Sequence, residues 1–308
     1  MTRWKSFTVE TRREAIDSLT HFFLTHGSLG MAYDERQFGP EGDPIDPLPP
    51  PEEVTQLTAY FPWEANLHDL KKAFLEFLPV LARSFGSESS AFVSAAEITD
   101  FGWAENWKEH FKPRKLGKRI VVRPSWEPYE SVPGDVVLTI DPGQAFGTGT
   151  HETTRMCLQF LEEVYESSPG PGSALDLGTG TGILGIAAAK LGASCALGID
   201  TDPKAVETAE ENAKVNGVQD RFAASFMPLS TFAGAYDLIV ANILAEILID
   251  MKNEIVSRCA PGGFLILSGI LTEKSDWVEA EFGGEGARLL KRKTDGQWAA
   301  LLLRREAH

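Results

Sequence analysis

The chain is poor in cysteine, poor in positive charge and has no long apolar run, and each lack removes a class of function. Its three cysteines, Cys157, Cys195 and Cys259, stand far apart with no C-x-x-C pair. That argues against a disulfide framework and a structural zinc site and leaves buried free thiols as the expectation. Lysine and arginine number 29 against 44 acidic residues, a net charge of −15. A general nucleic-acid binder meets phosphate with a basic face, so a basic protein substrate suits this surface better. No stretch has the length and apolarity of a membrane span, and the opening MTRWKSFTVETRREA lacks the apolar core of a signal peptide, so the expected location is cytoplasmic. A length of 308 residues leaves room for two domains.

What is present begins with a readable alternation. Residues 4–10 alternate as a strand, and residues 11–26 place Ala15, Ile16, Leu19, Phe22 and Phe23 on one helical stripe. Residues 29–33, 55–61 and 91–98 read as further strands, and 67–85 as a second amphipathic helix. The order β-α-β-β-α-β over residues 1–99 predicts a small α+β domain of ferredoxin-like type, whose sheet buries one face under helices and offers the other to a partner. Residues 34–53 interrupt it with a proline-rich, acidic segment that has no core pattern and reads as an exposed loop. Residues 100–130 read as a linker; from Trp107 to Trp126 it is basic but for Glu109. A helix near 103–111 and a strand or arm from Ile120 are expected there. Basic side chains among tryptophans are open to two readings, a nucleic-acid contact or a packed seam with lysines in water, and the acidity of the rest of the chain favours the seam.

Residues 131–308 carry the chemistry. A strand over 136–140 leads into a glycine-rich loop with Phe146, then a helix beginning near Thr150 to Thr154, where threonines can cap exposed amides. Such a loop suits a cover over a cofactor, with Phe146 beside a cationic centre. His151 is open to two roles, base or helix cap. Residues 174–203, ALDLGTGTGILGIAAAKLGASCALGIDTDP, then give a strand, a glycine turn, a helix and a second strand ending in Asp200. Gly178, Gly180 and Gly182 let the backbone turn sharply and approach a ligand. Asp200, 22 residues after Gly178, stands where a carboxylate accepts both hydroxyls of a ribose.

Two cofactor classes use this geometry. Dinucleotide enzymes favour G-x-G-x-x-G, which leaves the helix N-terminus open to a pyrophosphate. Here the pattern is D-x-G-x-G-x-G from Asp176 to Gly182, with Ile183 where the last dinucleotide glycine would fall. S-adenosylmethionine has no phosphate, and Asp176 suits its ammonium, directly or through water. A plain βαβ unit with no cofactor is the third reading. Downstream, helices are expected over 205–215 and 245–259, and strands over 221–226, 236–243 and 263–268, with Asn242 at the end of YDLIVANI. The tail predicts a hairpin through Asp295-Gly296. That tail on an otherwise parallel sheet is the order of class I methyltransferases, a Rossmann-like α/β fold.

DPGQAFGTGTHETT at 141–154, the glycine unit at 174–193, GIDTDPKAVETAEENAKVNGV at 198–218, VANIL at 240–244 and the basic segment at 107–126 together resemble the PrmA family, the methyltransferases of large-subunit ribosomal protein L11. The resemblance is specific over residues 100–270 and rests only on element order over 1–99. It implies a ferredoxin-like substrate-recognition domain, a linker and a class I methyltransferase domain. It also implies transfer of methyl groups from S-adenosylmethionine to lysine side chains and the N-terminal α-amine of that ribosomal protein. By motif match it places Thr154, Gly178, Asp200 and Asn242 at the cofactor, beside Gly180 and Phe146 from the residue chemistry. No catalytic base, metal ligand, membrane contact or nucleic-acid readout is expected. The alternatives are another protein or nucleic-acid substrate, a nicotinamide dehydrogenase and a non-catalytic binding module; Asn242-Ile243-Leu244 lacks the proline pair of N/D-P-P-Y/F enzymes.

Overall fold

The computed structural model describes residues 3–12, 15–28, 30–33, 54–85, 90–99, 112–141, 151–166 and 170–307. The acidic segment 34–53, the helix expected over 103–111 and the glycine-rich loop with Phe146 lie outside the described residues. The described residues form two compact units, one up to residue 99 and one from Lys112 onward.

In the first unit the strands are β1 (Arg3–Arg12), β2 (Gly30–Tyr33), β3 (Val54–Pro62) and β4 (Ser90–Thr99), with helices α1 (Ile16–Thr25) and α2 (Leu67–Phe85). The sheet runs β2-β3-β1-β4 with antiparallel pairs throughout, the split βαβ order expected of a ferredoxin-like module. Alternation sends Phe7, Val9, Leu57, Ala59 and Phe61 to one face, where α1 and α2 cover them. Rings interlock there: Phe22 stacks on Phe77 at 4.8 Å, and Phe7 meets Phe74 edge-on at 5.6 Å. The first helix starts later than its stripe suggests, because Thr11 and Arg12 stay in β1 to pair with Thr55 and Val54.

The second unit opens with a small sheet of β5 (Arg114–Lys115), β6 (Ile120–Arg123) and β7 (Val136–Thr139), in which β6 and β7 run parallel. The described part of the expected linker is therefore built into this unit: Leu116, Ile120 and Val122 share its core with Leu138 and Phe160. Helix α3 (Glu152–Glu166) holds that segment. Its buried Glu162 accepts the backbone N–H groups of Lys118, Arg119 and Ile120 at 2.7, 2.7 and 2.6 Å. Gly117 is needed at this turn, because a Cβ there would fall 2.1 Å from the Glu162 carboxylate.

The large sheet contains β8 (Ser173–Leu177), β9 (Cys195–Ile199), β10 (Phe222–Ser225), β11 (Tyr236–Asn242), β12 (Cys259–Leu271), β13 (Ala287–Asp295) and β14 (Trp298–Arg305). Its order is β10-β9-β8-β11-β12-β14-β13, parallel from β10 to β12 and antiparallel at β14 and β13. The order reverses between β8 and β11, so the crevice lies at the carboxyl ends of those strands. Strands β8 and β11 are buried on both faces and read as near-continuous apolar runs. Helices α4 (Ile183–Leu191) and α5 (Pro203–Val215) follow β8 and β9, with Asp202 capping α5 through the Lys204 amide.

Three sequence expectations are corrected. The single helix expected over 245–259 is two, α6 (Ala245–Asp250) and α7 (Lys252–Arg258), hinged at Met251. The break lets Ile255 and Val256 reach the same core as Ala245 and Leu248. Strand β12 begins at Cys259 rather than 263, since Pro261 and Gly262 are absorbed where the β11–β12 register shifts. Cys195 is exposed, whereas Cys157 and Cys259 are buried as expected. Helix α8 (Ser275–Gly284) precedes the hairpin, which turns at Gly296 with φ 57° as the Asp-Gly pair predicts.

Candidate cofactor crevice

The turn after β8 is built by left-handed glycines: Gly178, Gly180 and Gly182 have φ of 71°, 51° and 81°. Space matters as much as torsion at Gly178, where a Cβ would sit 2.4 Å from Cγ2 of Ile243. The turn is tied to β9 by Gly178 and Thr179 N–H groups that donate to the Ile199 carbonyl at 2.8 and 3.0 Å. It is tied to α5 by the Asn212 amide, which donates to the Thr181 carbonyl at 2.9 Å.

Two carboxylates frame it. Asp200 follows β9, and its Oδ2 accepts the Gly180 N–H at 2.9 Å while Oδ1 accepts the Asp202 N–H at 3.0 Å. The residue thus shapes the glycine turn, and each oxygen keeps a lone pair for a hydroxyl donor. Asp176 is 1% exposed; its Oδ2 accepts the Thr179 hydroxyl at 2.7 Å and the Gly185 N–H at 2.9 Å, and its buried Oδ1 has no partner. Burial pushes this carboxyl up to about 6, against the pull of Thr179 and Gly185, with the Asp200 charge adding to the rise.

Asp176 occupies the start of the helix that follows the turn. Gly185 lies in the first turn of α4, so the amide that a dinucleotide pyrophosphate would seek is already held by an acid. The Asp176 carboxylate itself takes the place that the positive end of the helix offers an anion. The turn therefore leaves no open amide at Gly185 for a phosphate, and it brings Asp176 and Asp200 to the ends of β8 and β9.

The structure brings Thr154 and Asn242 together from positions 88 apart: Asn242 Nδ2 donates to Thr154 Oγ1 at 3.3 Å. Thr154 is fully buried, whereas Asn242 is half-buried. His151 takes the capping role, its Nδ1 accepting the Thr153 N–H at 3.3 Å. Among the described residues no group of three or more His, Cys, Asp or Glu is placed to hold a metal, and no helix is long and apolar enough to cross a membrane.

Several residues at the crevice escaped the sequence argument. Phe226 and Met227, just beyond β10, are 58% and 43% exposed, and Asp200 N–H donates to the neighbouring Ser225 carbonyl at 3.1 Å. Leu244, two residues past Asn242, is 59% exposed. Large apolar side chains placed immediately after strand ends were the available signal. Ile243 is held from behind: its N–H donates to the Ser268 carbonyl, and its own carbonyl abuts Gly269, where a Cβ would lie 2.4 Å away.

Comparison with known proteins agrees with this geometry. The family model described as Ribosomal protein L11 methyltransferase (PrmA) matches residues 3–306. Ribosomal protein L11 methyltransferases of Syntrophotalea carbinolica and Citrifermentans bemidjiense are 41% and 39% identical over 306 and 308 residues, covering 99% of this chain and of each relative. A crystal structure of ribosomal protein L11 methylase from Lactobacillus delbrueckii subsp. bulgaricus matches with a TM-score of 0.58 at 34% identity, over 64% of this chain and 100% of that one. A match across nearly the whole length joins the α+β unit and the class I methyltransferase unit in a single assignment, and the chain belongs to the ribosomal protein L11 methyltransferase family.

Proposed function

We propose that this chain uses S-adenosylmethionine to methylate amines of ribosomal protein L11, namely lysine side chains and the N-terminal α-amine. The observation that carries the donor assignment is Asp176, an acid held at the N-terminus of α4 where a phosphate ligand would need an open amide. The substrate follows from the names of the relatives, similar over their full length.

The bound donor supplies a methyl group on sulfonium, which an amine attacks directly. The chain's task is alignment and exclusion of water. Gly178, Gly180 and Asp200 hold the adenosine side, with Asn242 at the end of β11 and its partner Thr154 of α3 as further donor contacts. Phe146 belongs to this proposed set as an aromatic partner of the cation. A lysine, with a pKa of about 10.4 in water, must shed a proton first, and desolvation in the crevice promotes that. His151 is engaged in capping α3, so no side chain is assigned as the base.

The α+β unit, residues 1–99, is the proposed recognition domain. A cytoplasmic location fits a ribosomal substrate. The three lysines from Lys112 to Lys118 support protein rather than nucleic-acid recognition, because each is matched by a nearby acid: Lys112 with Glu127, Lys115 with Asp135 and Lys118 with Glu166. The test is incubation of the intact chain with methyl-labelled S-adenosylmethionine and purified ribosomal protein L11, read by mass spectrometry. Stepwise methyl addition at lysines and the α-amine is expected, and lost when residues 1–99 are deleted although donor binding persists. No label in the ribosomal protein, or full activity after the deletion, contradicts the reading.

A further inference from the structure

Strand β13 is the outer edge of the large sheet, and its alternation divides its polar side chains between two helices. Arg292 turns to α8, where it pairs with Asp276 and Glu279. Lys291, Lys293 and Asp295 turn the other way and meet α3: Lys291 Nζ lies 2.9 Å from Glu163 Oε2, Lys293 Nζ donates to Gln159 Oε1 at 3.0 Å, and Arg155 Nη2 donates to Asp295 Oδ2. Residues 155, 159 and 163 succeed one another at about 6 Å along a helix, and 291, 293 and 295 at about 6.7 Å along a strand, so the two rows match rung for rung. Lys293 Nζ also lies 4.7 Å from the centre of the Phe160 ring, a cation held over an aromatic face.

The two ends of this ladder differ. Trp298 pairs with Leu271 at the close of β12, which puts the hairpin turn at the carboxyl end of the parallel strands, the end at which Asn242 closes β11. There the Arg155–Asp295 pair is three-quarters buried, and the Trp298 ring meets His151 edge-on at 5.3 Å. The far end is more open, with Lys291 52% exposed. An ion pair shielded from water constrains geometry more than an exposed one. We propose that Asp295 is a positioning residue for methyl transfer: through Arg155, the residue next to Thr154, it sets the height and rotation of the first turn of α3 over the donor crevice. The hairpin is thereby part of the support of the donor site, whereas the Lys291 rung serves stability alone.

This inference rests on the donor reading of the crevice. Its test uses the intact chain, calorimetry with S-adenosylhomocysteine and steady-state kinetics on ribosomal protein L11. The residue of the turn that needs positive φ is Gly296, so replacing Asp295 leaves the hairpin backbone unstrained. Asp295→Ala is expected to weaken binding of S-adenosylhomocysteine roughly three- to ten-fold, the worth of one ordering hydrogen bond. The KM for the donor rises with it, while the KM for the ribosomal protein stays at the wild-type value. Asp295→Asn, which keeps an acceptor oxygen for Arg155, gives a smaller loss. In the Arg155→Gln background Asp295→Ala has no further effect, because the residue it acts through is gone. Lys291→Ala, which cuts the far rung of the same ladder, leaves donor affinity native. Native affinity in Asp295→Ala, additive losses with Arg155→Gln, or an equal loss in Lys291→Ala overturns the positioning role and leaves the donor site standing. Failure of the wild-type chain to bind S-adenosylhomocysteine overturns the donor reading, and this inference with it.

Discussion

Gly178→Ala tests whether the glycine turn is built for close approach. The substitution meets two costs. The backbone at φ 71° is left-handed, which burdens an L-residue by about 1–2 kcal/mol. The new Cβ would lie 2.4 Å from Ile243 Cγ2, and Ile243 cannot retreat because Ser268 and Gly269 hold its backbone. Overpacking of that kind costs about 1–3 kcal/mol. The sum is about 2–5 kcal/mol, felt in stability and in donor affinity, since the same displacement pushes on the segment that carries Asn242. Urea unfolding and calorimetry with S-adenosylhomocysteine read both. Ile243→Ala removes the obstructing methyl but not the torsional strain, so the double variant should regain part of the loss and show a favourable coupling of about 1–3 kcal/mol. Native stability and native affinity in Gly178→Ala would refute the reasoning, and so would purely additive effects.

Other expectations follow from single groups. Asp200→Ala removes the acceptor of the Gly180 and Asp202 amides and the proposed ribose partner, and donor affinity should fall at least about ten-fold by calorimetry; unchanged affinity contradicts the ribose assignment. Asp176 has a folded pKa raised to about 6 above an ordinary carboxyl, so the native state binds more protons between those values. Its contribution is greatest at low pH and is lost as pH rises through 6, which costs on the order of 1 kcal/mol from pH 5 to 7. Asp176→Asn should lack that increment in urea titrations at the two pH values, and an identical pH dependence in variant and wild type counts against the buried acid. Glu162→Gln turns an amide NH₂ toward backbone N–H donors that now have a carboxylate, and about 2–4 kcal/mol of stability should be lost with donor affinity preserved. An unaltered unfolding midpoint would show that the three amides find other partners.

The parts of this molecule written in local pattern were legible, and the parts made by distant pairing were not. Alternation and helical stripes located the six elements of the first unit, and α2 begins and ends where its periodicity does. The D-x-G-x-G-x-G run and Asp200 announced the turn because torsion and spacing are local matters. Strands at Ile120 and over 136–140 were expected, but β5 and the pairing of the three into one sheet were hidden, since β5 has two residues and the β6–β7 pair spans a connection without a helix. The break at Met251 was equally silent, as both halves share one apolar stripe and only the core beneath distinguishes them. At the site, Thr154 and Asn242 were each singled out, but their contact across 88 positions depends on the order of β8, β11 and β12, which no local signal encodes.

The central claim is that the crevice at the ends of β8, β9 and β11 holds an adenosyl sulfonium. The direct measurement is a crystal structure of the intact chain grown with saturating S-adenosylhomocysteine. The account predicts the ribose hydroxyls on Asp200, the amino-acid end between the glycine turn and Asn242, and no ligand elsewhere. A vacant crevice at saturating ligand, or a ribose bound away from Asp200, would contradict it.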